Sequence, residues 1–209
     1  MNPRRSRRLP RGLYLITPEE PDDTRLLARV MPLLAHVACL QYRNKLGAAV
    51  QRQRQAHALR LVCRDAHVPF IVNDDAELAA AVGADGVHLG EHDGAITAAR
   101  MLLGPSAIVG VSCYDDASLA QRATSAGADY LAFGAFSMST TKPGARRAPL
   151  ALLRETQSLG LPQVAIGGIT HDNARSVIAA GADLIAVISG VFDAPDPLAA
   201  TRAYVALFD

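Results

Sequence analysis

Two aspartates that end apolar runs are the first residues here able to do chemistry. Phe70-Ile71-Val72 leads into Asn73-Asp74-Asp75, and Gly86-Val87-His88-Leu89 leads into Gly90-Glu91-His92-Asp93. If both runs are strands of one parallel sheet, Asp74 and Asp93 reach the same C-terminal rim. Neighbouring carboxylates repel unless they share a proton or a cation. The pair therefore reads as a site for a hard divalent ion, and Mg²⁺ is the natural one beside a polyphosphate. Asp75 reads differently, as the N-cap of a helix starting near Ala76.

Other apolar runs end in chemistry of a different kind. Gln41-Tyr42-Arg43-Asn44-Lys45 follows the second run, and strand alternation would turn Gln41, Arg43 and Lys45 to one side as a clamp for an anion. Ser112 closes Ile108-Val109-Gly110-Val111. The longest polar loop, from Gly134 to Arg147, carries Ser139, Thr140, Thr141 and Lys142. Near the end, Gly167-Gly168-Ile169 and Ser189-Gly190 each precede a helical stretch. Small residues there let backbone N–H groups and a helix N-terminus meet a phosphate.

The chain has nineteen Arg but only two Lys, Lys45 and Lys142, and both fall in these loops. A lysine is a compact charge that sits on a phosphate oxygen without a guanidinium's bulk. A metal-bound anionic subsite and a separate phosphate cradle imply two phosphorylated substrates. No Cys/His nucleophile arrangement is present, and no Glu or His is clearly poised as a base. The chemistry that fits is charge stabilisation of a departing diphosphate.

These residues need a frame that brings strand ends together. Strands are expected at Leu13–Ile16, Val37–Tyr42, Pro69–Val72, Gly86–Leu89, Ile108–Ser112, Tyr130–Phe133, Gln163–Ile166 and Leu184–Ile188. Between them, apolar residues recur at helical spacing, as in Leu59-Val62-Cys63-Ala66, and a last helix runs from about Leu198 to Leu207. Gly-Ala-Asp recurs at Gly83, Gly127 and Gly181, each time after an alanine-rich helix and before a strand. The Gly suits a helix end and the Asp a structural role in the turn. Strict alternation implies parallel strands with right-handed crossovers, and eight units in 209 residues imply an α/β fold of a single closed (β/α)₈ barrel. No GxGxxG follows the first strand, which removes the usual dinucleotide reading.

Composition narrows the partners. Net charge is +1, and Arg4, Arg5, Arg7, Arg8 and Arg11 all precede the first strand. Residues 1–11 read as a basic, disordered tail, and 12–209 as the catalytic barrel. No basic patch follows in the body, so no nucleic-acid partner is expected. No apolar run has the length of a membrane span. Three widely spaced cysteines fit neither a disulfide framework nor a metal knuckle, so a cytoplasmic location is expected. Helix faces turned to a barrel and to a second copy look alike, so a homo-oligomer stays open.

From Gly12 onward the chain resembles the thiamine phosphate synthases. The motifs that carry the likeness are Gln41-Tyr-Arg-Asn-Lys45, Val72-Asn-Asp-Asp75, Gly83 to Gly90 with Asp93, Gly110-Val-Ser112, Ser139-Thr-Thr-Lys142, Ala165-Ile-Gly-Gly-Ile169 and Val187-Ile-Ser189. The family joins hydroxymethylpyrimidine diphosphate to hydroxyethylthiazole phosphate, releasing pyrophosphate. The resemblance implies that Asp74 and Asp93 ligate Mg²⁺. It implies that Gln41, Tyr42, Arg43, Asn44, Lys45, Asn73, Ser112 and Lys142 hold the pyrimidine diphosphate. Ser139, Thr140, Thr141, Gly167, Gly168, Ile188 and Ser189 would hold the thiazole phosphate.

Lys142, Arg43, Lys45 and Ser112 form the implied catalytic set. The lysines and Mg²⁺ would stabilise the leaving charge while a pyrimidinylmethyl cation is captured by the thiazole nitrogen. Three positions depart from the family: Met138 stands near a usual Pro, Tyr114 at a usual His, and Gly190 at a usual Ala. The alternatives are a thiazole tautomerase-like barrel and a non-catalytic thiamine phosphate-binding protein. Neither requires the metal pair with the full diphosphate clamp.

Overall fold

The computed structural model describes residues 9–90, 95–137 and 146–209. Eight parallel strands form a closed barrel in sequence order: β1 (Gly12–Ile16), β2 (Cys39–Tyr42), β3 (Phe70–Asn73), β4 (Gly86–Leu89), β5 (Ile108–Tyr114), β6 (Tyr130–Phe133), β7 (Gln163–Ile166) and β8 (Leu184–Val187). Pairing of β1 with β8, through Leu13 and Ile185, closes the ring. Helices α1 (Asp23–Val30), α2 (Ala49–Asp65), α3 (Ala76–Val82), α4 (Ile96–Leu103), α5 (Ala117–Ser125), α6 (Leu150–Glu155), α7 (His171–Ala179), α8 (Ser189–Phe192) and α9 (Pro197–Val205) make the outer layer.

The strands are short and apolar because both faces are covered. Alternation divides them cleanly. Tyr14, Ile16, Cys39, Tyr130, Val164 and Ala186 pack inside the barrel, whereas Leu13, Leu15, Leu40, Tyr42 and Val72 pack outward under the helices. Leu9 joins the inner cluster, so packed chain begins ahead of Gly12. Residues 1–8 of the basic head lie outside the described residues.

The Gly-Ala-Asp repeat is a recurring clasp at the N-terminal face. Gly83, Gly127 and Gly181 all have positive φ. Asp85, Asp129 and Asp183 each accept, through Oδ2, the N–H of a residue at the start of the preceding strand: Phe70 at 2.8 Å, Val109 at 2.8 Å and Gln163 at 2.9 Å. Each aspartate N–H donates back to the carbonyl of that same residue. The structural role expected for these carboxylates holds.

Two strand ends differ from the expected bounds by two residues, and the others by at most one. A 3-10 turn over Met31–His36, with Pro32 in its first turn, leaves Val37 and Ala38 as connector, so β2 starts at Cys39. β5 runs two residues past Ser112, with an irregular register between Ser112 and Tyr114. Among the described residues no helix is long and apolar enough to cross a membrane.

The β1–α1 loop is anchored by Glu20, whose side chain is buried and meets Arg25 at 2.6 Å and Arg29 at 3.5 Å. The Arg25 hydrogen bond holds the Glu20 carboxyl below its ordinary value of 4.5. A depressed carboxylate stabilises the fold above its unfolded pKa, and that contribution fades as pH falls through the folded one. Glu20→Gln should therefore melt below the wild type at neutral pH, and the gap should narrow in acid. Melting curves across pH 3 to 7, roughly the range over which a carboxylate titrates, check this; a gap independent of pH would count against it.

Candidate active site

The C-terminal rim is organised by a hydrogen-bond chain through the barrel interior. Gln41 Nε2 donates to the Tyr14 hydroxyl at 2.9 Å, and the Tyr14 and Tyr130 hydroxyls lie 2.7 Å apart. Tyr130 meets His88 Nδ1 at 2.9 Å, and His88 Nε2 meets Ser112 Oγ at 2.9 Å. Burial pushes both phenols well above their ordinary range, so each carries its single proton. A donor order consistent with these distances has Tyr14 donate to Tyr130, Tyr130 to Nδ1, and Nε2–H to Ser112; the other His88 tautomer reverses the last two bonds.

Sequence reading found the two ends of this chain, Gln41 and Ser112, and missed its middle. Tyr14, Tyr130 and His88 sit inside apolar strands, where they pass for core. The available signal was parity: His88 lies between outward-facing Val87 and Leu89 and so points in.

The cationic clamp divides in two. The expectation that Gln41, Arg43 and Lys45 share one side fails, because β2 ends at Tyr42 and alternation no longer governs the loop. Gln41 points into the barrel. Arg43 swings toward the β1–α1 loop, with Nη1 3.0 Å from Glu19, and Lys45 toward the β3–α3 loop, with Nζ 2.8 Å from Asp74.

Tyr42 and Asn44, both implied for the pyrimidine site, stand differently in the structure. Tyr42 faces outward, is buried, and donates to Gln55 of α2 at 2.9 Å; burial pushes its hydroxyl to about 12. Asn44 braces its loop, with Oδ1 accepting from Leu46 and Gly47 and Nδ2 donating to Gln55 of α2, and it also lines the cavity shared by Lys45, Asn73 and Asp74.

The β3 end matches expectation more closely. Asn73 pairs with His88 across β3 and β4, and the Asp74 N–H donates to the His88 carbonyl at 2.8 Å. Asp75 caps α3, accepting from the Leu78 N–H at 2.8 Å. Asp74 instead holds a left-handed backbone, φ 64°, with its carboxylate at the rim. Asn44, Lys45, Asn73 and Asp74 line an open cavity of about 570 Å³, joined by Arg52 of α2, which sequence reading did not single out as a site residue. Asp93, the other expected metal ligand, lies outside the described residues, as do Ser139, Thr140, Thr141 and Lys142.

The expected phosphate cradle stands on adjacent strands, since Ile166 of β7 pairs with Ala186 of β8. Gly167 and Gly168 have φ of 90° and 65°, a path side chains resist. The Gly168 carbonyl accepts from Asn173 at 2.8 Å, and Ile188 immediately precedes the single turn of α8 that begins at Ser189. Gly190 has a local reason to lack a side chain: an added Cβ would lie 2.5 Å from the Tyr204 hydroxyl. Tyr114 stacks under Arg146 at 4.6 Å. The three cysteines are buried and free, and burial pushes the Cys63 and Cys113 thiols to about 12, which suits none of them to nucleophilic work.

Comparison with known proteins identifies the family. Residues 13–191 match the family model described as thiamine monophosphate synthase. The chain belongs to that family. A thiamine-phosphate synthase of Xanthomonas campestris pv. campestris (strain 8004) is 59% identical over 198 residues, 95% of this chain and 96% of that protein. One from Azoarcus sp. (strain BH72) is 57% identical over 200 residues, 95% and 97% of the two chains. Among solved structures, thiamine phosphate pyrophosphorylase from Pyrococcus furiosus superposes with a TM-score of 0.82 at 36% identity, covering 99% of this chain and 97% of that one. Orotidine 5'-phosphate decarboxylase from Pyrococcus horikoshii OT3, at 14% identity and TM-score 0.70, shares the fold; the match covers 93% of this chain and 98% of that one. Membership of the synthase family carries the barrel, the enzyme class and the thiamine-forming condensation expected from the sequence.

Proposed function

We propose that this rim performs the condensation by holding a pyrimidine diphosphate over Ser112 and the β2 and β3 loops, and a thiazole phosphate over the β7 and β8 loops. The observation that carries the reading is spatial. Lys45, Asn73 and Asp74 line one cavity beside β2 and β3, with Arg43 on the same β2 loop turned toward Glu19; Gly167, Gly168, Ile188 and Ser189 follow the adjacent strands β7 and β8, and the Ser112–His88 pair lies on β4 and β5 between them.

In the reaction the C–O bond to diphosphate breaks and its electron pair leaves with the oxygen. The thiazole nitrogen lone pair then forms the new C–N bond to the pyrimidinylmethyl carbon. No proton need leave that nitrogen, so no general base is required there. Arg43, Lys45 and Lys142 would neutralise the leaving charge. Gln41 and Ser112, fixed at the ends of the interior chain, would orient the pyrimidine end.

The donor set at Asp74 suits Mg²⁺, which takes one or two carboxylates together with phosphate oxygens. Asp74 is a hard oxygen donor at the rim beside a cation, and Asp93 would be its second protein ligand. When bound, the ion would supply charge neutralisation on the diphosphate oxygens. The substrates are small and phosphorylated, and the reaction calls for neither nucleic acid nor membrane. Buried free thiols suit a reducing cytoplasm.

The test incubates protein with both substrates, with Mg²⁺ or with EDTA, and follows thiamine phosphate. Product with Mg²⁺ and none with EDTA is expected. Equal turnover in EDTA would overturn the metal assignment; no turnover by folded protein would favour a barrel that only binds.

A further inference from the structure

We propose that Glu19 is a positioning residue for the diphosphate clamp, the group that holds Arg43 and the Lys45 backbone in their working places. The inference rests on the reading of Arg43 and Lys45 as diphosphate ligands. Glu19 lies in the β1–α1 loop, outside every motif the sequence suggested, and its carboxylate serves two partners at once. Oε1 accepts from Arg43 Nη1 at 3.0 Å, and the Lys45 N–H donates between Oε1 at 3.1 Å and Oε2 at 3.2 Å.

An isolated surface ion pair contributes little. Three observations set this one apart. The Arg43 side chain is only 16% exposed, so its head has few alternatives in water. The second partner is a main-chain N–H, which fixes the path of the loop and not merely one side-chain tip. The same β1–α1 loop also clasps Arg43 from the other side. Buried Thr17 accepts from the Arg43 N–H at 2.9 Å and donates to its carbonyl at 3.2 Å, while the Thr17 N–H donates to Gln41 O at 2.9 Å.

Loop 43–45 is therefore held by Thr17 at its start and by Glu19 at its end. The Lys45 ammonium reaches the opposite way, to Asp74. Glu19 uses one arm of the Arg43 fork, and a guanidinium has further N–H groups to offer a diphosphate. A carboxylate that merely competed with substrate for Arg43 would have no need of the Lys45 N–H.

The experiment measures kcat and both KM values for wild type, Glu19→Ala, Glu19→Gln and Arg43→Met, with melting curves as a control. Glu19→Ala is expected to raise KM for the pyrimidine diphosphate about tenfold and to lower kcat as well, with KM for the thiazole phosphate within about twofold of wild type. Glu19→Gln should recover to within about threefold, since its carbonyl still accepts from the Lys45 N–H. An unchanged or lower diphosphate KM in Glu19→Ala would overturn the proposal, as would an equal rise for both substrates or a Gln variant as impaired as Ala. Arg43→Met separates the two readings. If it leaves the diphosphate KM unchanged, the clamp assignment itself falls. If it raises that KM while Glu19→Ala does not, only the role of Glu19 falls.

Discussion

Asp74→Asn should lower kcat/KM for thiamine phosphate formation about a thousandfold, a loss of about 4 kcal/mol in transition-state stabilisation, with little change in melting temperature. Asparagine is the informative replacement. Asp74 has φ 64°, a left-handed backbone that Asn tolerates as well as Asp does, so the variant removes charge and leaves the path of the chain. Lys45 loses its partner in this variant and remains available to the diphosphate. The deficit should therefore fall on kcat rather than on KM. Asp75→Ala makes the contrast. It removes the cap of α3, costs about 1 kcal/mol of stability, and should cost far less activity. Steady-state kinetics with thermal melts on both variants checks the pair, and wild-type turnover in Asp74→Asn would remove the metal assignment.

Lys142→Ala should reduce kcat about a hundredfold while weakening thiazole phosphate binding much less. The argument begins from composition. A chain with nineteen arginines has kept a lysine at two places only, and both fall in polar stretches of sequence that follow an apolar run. In the dissociative step, charge grows on the oxygen that leaves, so a fixed cation there acts mainly on the transition state. Such an interaction appears in kcat; one made equally with bound substrate appears in KM. Single-turnover rates beside equilibrium binding of the thiazole phosphate separate the two. Equal losses in both would make Lys142 a binding residue alone.

Much of this molecule is written locally. Eight apolar runs, each followed by a polar turn and a helical stretch, specify the barrel, because in it each strand pairs with its sequence neighbour. The same logic places Asp74 at a rim and assigns the Gly-Ala-Asp aspartates to structure, since their end of the strand is the opposite one. Asp75 was legible too, because capping depends on residues within one turn.

Other parts depend on neighbours distant in sequence. The interior chain joins Gln41, Tyr14, Tyr130, His88 and Ser112 from five strands, across as many as 116 positions. A tyrosine in an apolar strand looks the same whether its hydroxyl meets another or none. Tyr42 and Gln41 are adjacent in sequence, yet the barrel wall sends one to a helix and the other to the site. Arg43 and Lys45 diverge because Glu19 and Asp74, on different loops, draw them apart. Sequence alone determined the elements, their order and which strand ends bear charge, because these follow from short-range pattern. Only the tertiary structure decided which side chains meet at the rim, because closing the barrel brings together residues whose pairing leaves no periodic trace in the chain.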